Sequence, residues 1–250
     1  NAYLPQIDGP VLTVGVRSAA EITGTLVEQF ASEQTFLLTA GSETMPVHTR
    51  MIGLHHVYNC LSAAAVGLAY GIDPATVVRG LEAVEHLPGR LERIECGQPF
   101  GVFIDFAHTA DALAGALDAL RQVTEGRLIC VFGAGGDRDR TKRPLMGQAA
   151  ESRADLVVLT NDNPRSEPPH AILDGILAGL DRPADAHVLP DRADAIAWAL
   201  SQAQPGDCVL IAGKGHETFQ ILGHATLPFD DREVAREWLY RVRPFEPARD

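Results

Sequence analysis

In the second part of the chain, short apolar runs alternate with stretches of helical spacing. VFIDFA (102–107) precedes Leu113, Ala116, Leu117 and Leu120, which share one helical face, and RLICVFG (127–133) precedes a helix after Pro144. DLVVLT (155–160) precedes Ile172, Leu173, Ile176 and Leu177; HVLP (187–190) precedes a helix through Ile196 and Leu200. DCVLIAG (207–213) is followed by a loop and a last helix near 232–240. Strands apolar on both faces, each followed by a helix, predict an α/β fold with a doubly wound, Rossmann-like, mostly parallel sheet. Ligands of such sheets sit beyond the carboxyl ends of the strands.

The first part has a different texture. Residues 10–53 predict a strand at VLTVGV, a helix carrying Ile22, Leu26, Val27 and Phe30, a strand at TFLLTA, and a polar segment. Two helices follow, 56–70 and 74–84, the second with Asp73 as N-cap and Pro74 in its first turn. Pro88 and Gly89 then break the pattern.

At 250 residues and 46% hydrophobic, the chain has ample core material. Its 21 basic against 33 acidic residues give a net charge of -12, which argues against nucleic acid or an anionic membrane surface as partner. The longest near-apolar run, 60–70, is too short to cross a bilayer and contains Ser62 and Gly67. Cys60, Cys96, Cys130 and Cys208 are widely spaced among apolar neighbours with no CxxC pair, as expected of buried thiols in a reducing cytoplasm. No charged-then-apolar leader follows Asn1, and an excised piece of a longer protein is the expectation.

The chemistry concentrates where the strands end. Asp105-Phe106-Ala107-His108 follows the first, and Gly133-Ala134-Gly135-Gly136-Asp137-Arg138 the second. Asp162-Asn163-Pro164-Arg165 follows the third, and Gly213-Lys214-Gly215-His216-Glu217 the fifth. The glycine-rich turn would let backbone approach a ligand, while Arg138 and Arg165 offer planar forks for carboxylate or phosphate. Glu217 on the same rim would complement an ammonium, so the set suits a zwitterion such as an amino acid. Lys142, Arg143 and Lys214 are further rim cations that either face phosphate or lie solvated.

FIDFAHTADAL, FGAGGDRDRTKRPLMG, DNPRSEPP and AGKGHE, in this order, resemble the C-terminal half of a Mur ligase, and GLHHVYNCLSAA with LPGRLERI resembles the end of that family's central ATPase domain. The resemblance is narrower to members that add meso-diaminopimelate to UDP-MurNAc-L-Ala-D-Glu in peptidoglycan synthesis. It implies residues 1–89 as the end of the central ATP-binding domain and 90–250 as the amino-acid-binding domain.

By the same resemblance, Asp162, Asn163, Pro164 and Arg165 form the motif of diaminopimelate users. Arg138, Asn163 and Arg165 are implied contacts of carboxylate, and the Gly213 carbonyl with Glu217 contacts of the ammonium. Lysine lacks one carboxylate, and a buried arginine left unpaired would reject it by roughly 2–5 kcal/mol. Asn59, Arg90, Asp105 and His108 fall on positions that contact ATP.

ATP with Mg2+ is the implied cofactor, the reaction passes through an acyl phosphate, and the enzyme is a cytoplasmic monomer. Two family patterns depart here: His56 replaces an asparagine in Gly53-Leu54-His55-His56-Val57-Tyr58-Asn59, and Phe106-Ala107-His108-Thr109-Ala110 replaces Tyr-Ala-His-x-Pro. No GxxxxGK[ST] phosphate loop occurs, so no catalytic residue and no metal ligand is assigned, and the piece alone is expected not to ligate. Two rivals remain: a Mur-type ligase for another amino acid, and a non-catalytic module binding an amino acid or precursor. A dinucleotide-binding domain is excluded, because residues 133–136 lack GxGxxG spacing.

Overall fold

A computed structural model of the chain describes residues 8–16 and 18–242; Asn1 and the tail after 242 lie outside them. The chain divides into two compact units between His86 and Leu87.

The first unit is a four-stranded sheet in the order β1-β2-β3-β4, formed by Val14–Gly15, Ile22–Gln29, Gln34–Ala40 and Glu43–Thr49, with helices α1 (Leu54–Ala69) and α2 (Pro74–Glu82). β1 pairs parallel to β2, and the other pairs are antiparallel. The helix predicted over Ile22, Leu26, Val27 and Phe30 is strand β2 instead. Its supposed helical face is not one face: Ile22 is buried, whereas Val27 and Phe30 are 58% and 52% exposed. Thr23, Thr25 and Val27 are β-branched and Gly24 sits between them, a mixture that favours a pleated strand over a helix. Gly24 also lets α1 lie close, since a Cβ there would stand 2.9 Å from Val57. The polar segment expected after TFLLTA is strand β4, paired along its length with β3. Asp73 caps α2 by accepting from the Thr76 amide at 2.9 Å, as its position predicts.

The second unit is the expected α/β domain. Its sheet runs β5-β6-β10-β7-β8-β9, with β5 (Glu92–Arg93) antiparallel at one edge. The parallel strands are β6 (Gly101–Asp105), β7 (Leu128–Phe132), β8 (Leu156–Leu159), β9 (His187–Val188) and β10 (Cys208–Ala212). Helices α3 (Ala110–Arg121), α4 (Lys142–Glu151) and α5 (Pro169–Leu177) pack in series, and α6 (Arg192–Gln202) packs with α7 (Asp231–Val242). Alternation along β7 explains the two layers: Ile129 and Val131 join α6 residues Ile196 and Leu200 in one cluster, while buried Leu128, Cys130 and Phe132 point the other way. α4 starts two positions before Pro144, whose missing amide costs nothing in a first turn. The segment read as a loop before the last helix is a hairpin, β11 (Phe219–Leu222) with β12 (Ala225–Pro228).

All four cysteines are buried and free. Burial pushes the Cys60 thiol up to about 11 and the Cys208 thiol up to about 12, so neither supplies a thiolate near neutrality. No helix among the described residues is long and apolar enough to cross a membrane.

Candidate functional site

In-register pairing brings the carboxyl ends of the parallel strands level, Ala212 beside Asp105 and Phe132 beside Leu159. The loops at 106–109, 133–141, 160–168 and 213–218 therefore share one rim, as predicted. Backbone bonds lace them together: the Gly213 amide donates to the Asp105 carbonyl at 3.0 Å, and the Gly136 amide to the Asn163 carbonyl at 2.9 Å.

The glycine-rich turn serves packing more than ligand access. A Cβ on Gly133 would stand 2.1 Å from the Thr160 oxygen, and one on Gly136 would stand 1.8 Å from the Pro164 oxygen, so both glycines press against the 160–164 backbone. Gly135 is the member left partly open, and both arginines flank it. Its Cβ would lie 3.0 Å from Arg165 Nη1 and 3.6 Å from Arg138 Cγ. Arg138 is exposed and donates to its neighbour's carbonyl, Asp137 O, at 3.2 Å. Arg165 donates to the Gly136 carbonyl at 2.7 Å and holds φ +54°, left-handed backbone that non-glycine residues rarely adopt. Asp137 has the same φ of +54°, and its carboxylate accepts from the Ser166 hydroxyl and amide at 2.8 and 3.1 Å. These paired outliers fix the two arginine-bearing loops against each other.

Behind them, Glu167 takes a bidentate ion pair from Arg143 at 2.9 and 3.1 Å, the Asp137 amide at 2.6 Å, and Arg140 at 3.1 Å. Arg143 is thus a buried partner of Glu167 rather than a solvated or phosphate-facing cation. The Arg143 guanidinium, then the Asp137 amide, hold the Glu167 carboxyl at about 2, below its ordinary 4.5. A depressed carboxylate stabilises the fold above its ordinary value and loses that contribution as pH falls through the folded one. The melting temperature is expected to drop between about pH 4.5 and about pH 2. Glu167→Gln should flatten that slope in thermal scans across the same range, and an unchanged slope would refute the assignment.

The remaining predicted contacts of an amino acid sit on adjoining loops. Asn163 is buried, donating through Nδ2 to Glu217 Oε2 at 2.9 Å and accepting at Oδ1 from the Ile221 amide at 2.9 Å and from Lys214 at 3.3 Å. Its side-chain amide is thus engaged with protein as well as placed at the rim. Pro164 is buried at the Gly136 contact. Asp162 is buried with its Oδ2 2.6 Å from where a Gly213 Cβ would be, so Gly213, at φ +112°, admits only glycine. Among the described residues, no hydrogen bond reaches the Asp162 carboxylate.

Of the residues predicted to contact nucleotide, Arg90, Asp105 and His108 meet in the second unit. The Arg90 guanidinium stacks 4.8 Å over the Phe106 ring, whose centroid lies 4.6 Å from that of His108 and 5.2 Å from that of His216. His108 bonds through Nδ1 to the Phe106 carbonyl at 2.8 Å. Its carbonyl in turn accepts from Lys142 at 2.7 Å, an amine whose pKa burial lowers. Asp105 is spent on the fold, taking the Leu91 and Ala107 amides at 2.7 and 2.8 Å, while burial pushes its carboxyl upward. Arg90, Phe106 and His108 thus fit a base or phosphate, whereas Asp105 shapes their backbone. Asn59 lies exposed on α1 of the first unit. Among the described residues, no three His, Cys, Asp or Glu side chains converge as metal ligands.

Three supports escaped the sequence reading. Lys214 is fully buried. The β11–β12 hairpin grips the arginine loop, the Arg165 amide donating to Ile221 O at 3.2 Å and the Gly223 amide to Arg165 O at 2.8 Å. Arg192 and Asp231 form a fully buried ion pair at 2.7 Å, from which Arg192 also donates to the Ala212 carbonyl at 2.9 Å and the Asn161 carbonyl at 3.3 Å. That pair braces the ends of β8 and β10.

Residues 89–215 match the family model of the Mur ligase, glutamate ligase domain. A UDP-N-acetylmuramoyl-L-alanyl-D-glutamate--2,6-diaminopimelate ligase of Geobacillus thermodenitrificans is 46% identical over 235 residues, covering 94% of this chain and 48% of the relative. The ligase of the same name from Solibacter usitatus is 49% identical over 205 residues, covering 82% and 42%. A solved structure of such a ligase superposes with a TM-score of 0.64 at 35% identity, covering 92% of this chain and 47% of the other. The chain spans about half the length of the curated relatives it matches. With its motifs gathered on the rim of one mostly parallel sheet, the family model running from 89 into the 213–218 loop, and relatives of 46% and 49% identity covering 94% and 82% of it, the chain belongs to the Mur ligase family.

Proposed function

We propose that this chain is the amino-acid-binding half of an ATP-dependent ligase that joins meso-diaminopimelate to UDP-MurNAc-L-Ala-D-Glu in peptidoglycan synthesis. The carrying observation is the convergence of Arg138 and Arg165 on the Gly135 turn, with Asn163 and Glu217 on the adjoining loops. Two cationic forks and a carboxylate on one rim match a ligand with an extra carboxylate and an ammonium. The names of the relatives agree with that ligand.

In this reading the Arg138 and Arg165 guanidiniums hold the distal carboxylate, while Glu217 with the Gly213 carbonyl orients the ammonium. Holding the amine in one geometry converts its encounter with the acceptor carboxylate into a local event. ATP, when bound, supplies the phosphoryl group that activates the acceptor. Arg90 and His108 are the groups of the second unit that would hold the nucleotide. The first unit is assigned as the end of the central ATP-binding domain, and activation of the acceptor to the upstream half that the relatives carry.

Calorimetric titration of the 250-residue chain tests the reading. Arg138 is exposed and Arg165 half-buried, so the discrimination expected of a buried arginine shrinks to that of a lost charge-assisted hydrogen bond, and meso-diaminopimelate is expected to bind ~30-fold more tightly than L-lysine. Arg165→Ala should abolish that preference. Equal affinity for the two ligands, or none for either, would exclude this site as a diaminopimelate pocket.

A further inference from the structure

Lys214 occupies a place that surface electrostatics does not predict. Its side chain is 0% exposed, although it lies in a rim loop between two glycines with positive φ, Gly213 at +112° and Gly215 at +54°. Close packing holds that path: a Cβ on Gly215 would stand 2.7 Å from the Phe106 Cβ and 2.9 Å from the Gly89 carbonyl oxygen. The backbone therefore runs where only glycine fits and turns the lysine inward. Its ammonium lies 5.6 Å from the Phe219 ring centroid, 3.0 Å from Glu217 Oε2 and 3.3 Å from Asn163 Oδ1.

A buried ammonium is tolerated only with a counter-charge and hydrogen bonds. Glu217 supplies the charge, and in doing so loses its freedom. Its Oε2 receives two donors, Lys214 Nζ and Asn163 Nδ2, while Oε1 has no hydrogen bond among the described residues. The Glu217 side chain is 23% exposed, so one oxygen is anchored inward and the carboxylate still reaches solvent. Asn163 is fixed from the same point, because its Oδ1 accepts from Lys214 as well as from the hairpin amide of Ile221. With its donors turned inward and its side chain sealed, Lys214 cannot itself touch a ligand entering from solvent.

We propose that Lys214 is a positioning residue of the amino-acid site: its buried ammonium locks Glu217 and Asn163 together, so that Glu217 presents Oε1 to the incoming ammonium without a reorganisation cost. The proposal rests on the amino-acid reading of the rim given above. A carboxylate held in one rotamer binds more tightly than a free one because its ordering is complete before the ligand arrives.

The test combines nuclear magnetic resonance and calorimetry on the 250-residue chain, with meso-diaminopimelate as the probe. In the ligand-free wild type, the Lys214 ammonium should give an exchange-protected nitrogen signal correlated with the Glu217 carboxylate carbon; a freely exchanging ammonium overturns the proposal without any variant. Lys214→Met should keep the backbone spectrum outside the 160–166 and 213–221 loops, yet bind meso-diaminopimelate at least tenfold more weakly. Glu217→Gln should weaken binding by a smaller factor in that variant than in the wild type, whereas a lysine serving only the fold would leave the two effects independent. Undiminished binding by folded Lys214→Met overturns the proposal alone. Absence of binding by the wild type overturns the amino-acid reading and the proposal together.

Discussion

Arg192→Ala is expected to destabilise the second unit by about 3–5 kcal/mol, the cost of leaving one member of a buried ion pair without its partner. Arg192 and Asp231 are both 0% exposed, and their two bonds of 2.7 Å leave no route for water to replace the lost charge. The arginine also satisfies the carbonyls of Asn161 and Ala212, so alanine would strand two acceptors at the ends of β8 and β10 as well. Replacing both members together, Arg192→Met with Asp231→Leu, should cost much less, because no uncompensated charge remains. Urea unfolding followed by tryptophan fluorescence measures both, since Trp198 and Trp238 lie in this unit. A loss below about 1 kcal/mol in the single variant would mean that the pair is hydrated in solution.

Gly136→Ala is expected to cost about 3 kcal/mol and to weaken amino-acid binding beyond what unfolding explains. Its Cβ would stand 1.8 Å from the Pro164 oxygen and 2.7 Å from the Pro164 carbonyl carbon, both backbone atoms that no rotamer change can move. Relief requires separating the 133–137 and 162–166 loops. That separation breaks the Gly136 amide bond to Asn163 O and the Arg165 bond to Gly136 O, displacing the guanidinium from the turn it flanks. Gly115→Ala, on the open face of α3, is the control and should be neutral or slightly stabilising. Comparing denaturation with calorimetric affinity separates the two effects. Full affinity in a folded Gly136→Ala chain would show that the loops tolerate the separation.

The second unit was legible because strands of a covered parallel sheet are apolar on both faces, and the runs ending at Asp105, Phe132, Leu159 and Ala212 each stop at a polar turn. The first unit was less so. Ile22, Leu26, Val27 and Phe30 satisfy a helical spacing by coincidence, and only the β-branched residues around Gly24 signal the strand that forms. The hairpin did leave a signal: β11 and β12 pair up to Leu222 with Ala225, leaving a two-residue turn whose Gly223 has φ +61°. The rim motifs revealed which residues gather, but not which way they face. Lys214 and Arg143 look like solvated cations in a linear sequence: Arg143 is buried against Glu167, distant along the chain, and although Lys214 has Glu217 three residues on, the Asn163 oxygen that completes its burial is also distant. Likewise, nothing local tells that Gly133 and Gly136 meet protein backbone instead of a ligand.

Strand β10 pairs with β6 on one side and β7 on the other, yet it follows both in the chain, with β8, β9 and the helices α4 to α6 in between. During synthesis, β6 and β7 emerge as neighbours in time that are not neighbours in space, and each must wait with an open edge. The edges close only when Cys208–Ala212 inserts between them, a non-local pairing of the kind that slows folding. The same late strand carries the 213–217 loop on its end, so the rim is completed in the same event that closes the sheet. A nascent chain released before that point would present two unpaired parallel edges, the kind of surface on which chains pair with one another instead of with themselves.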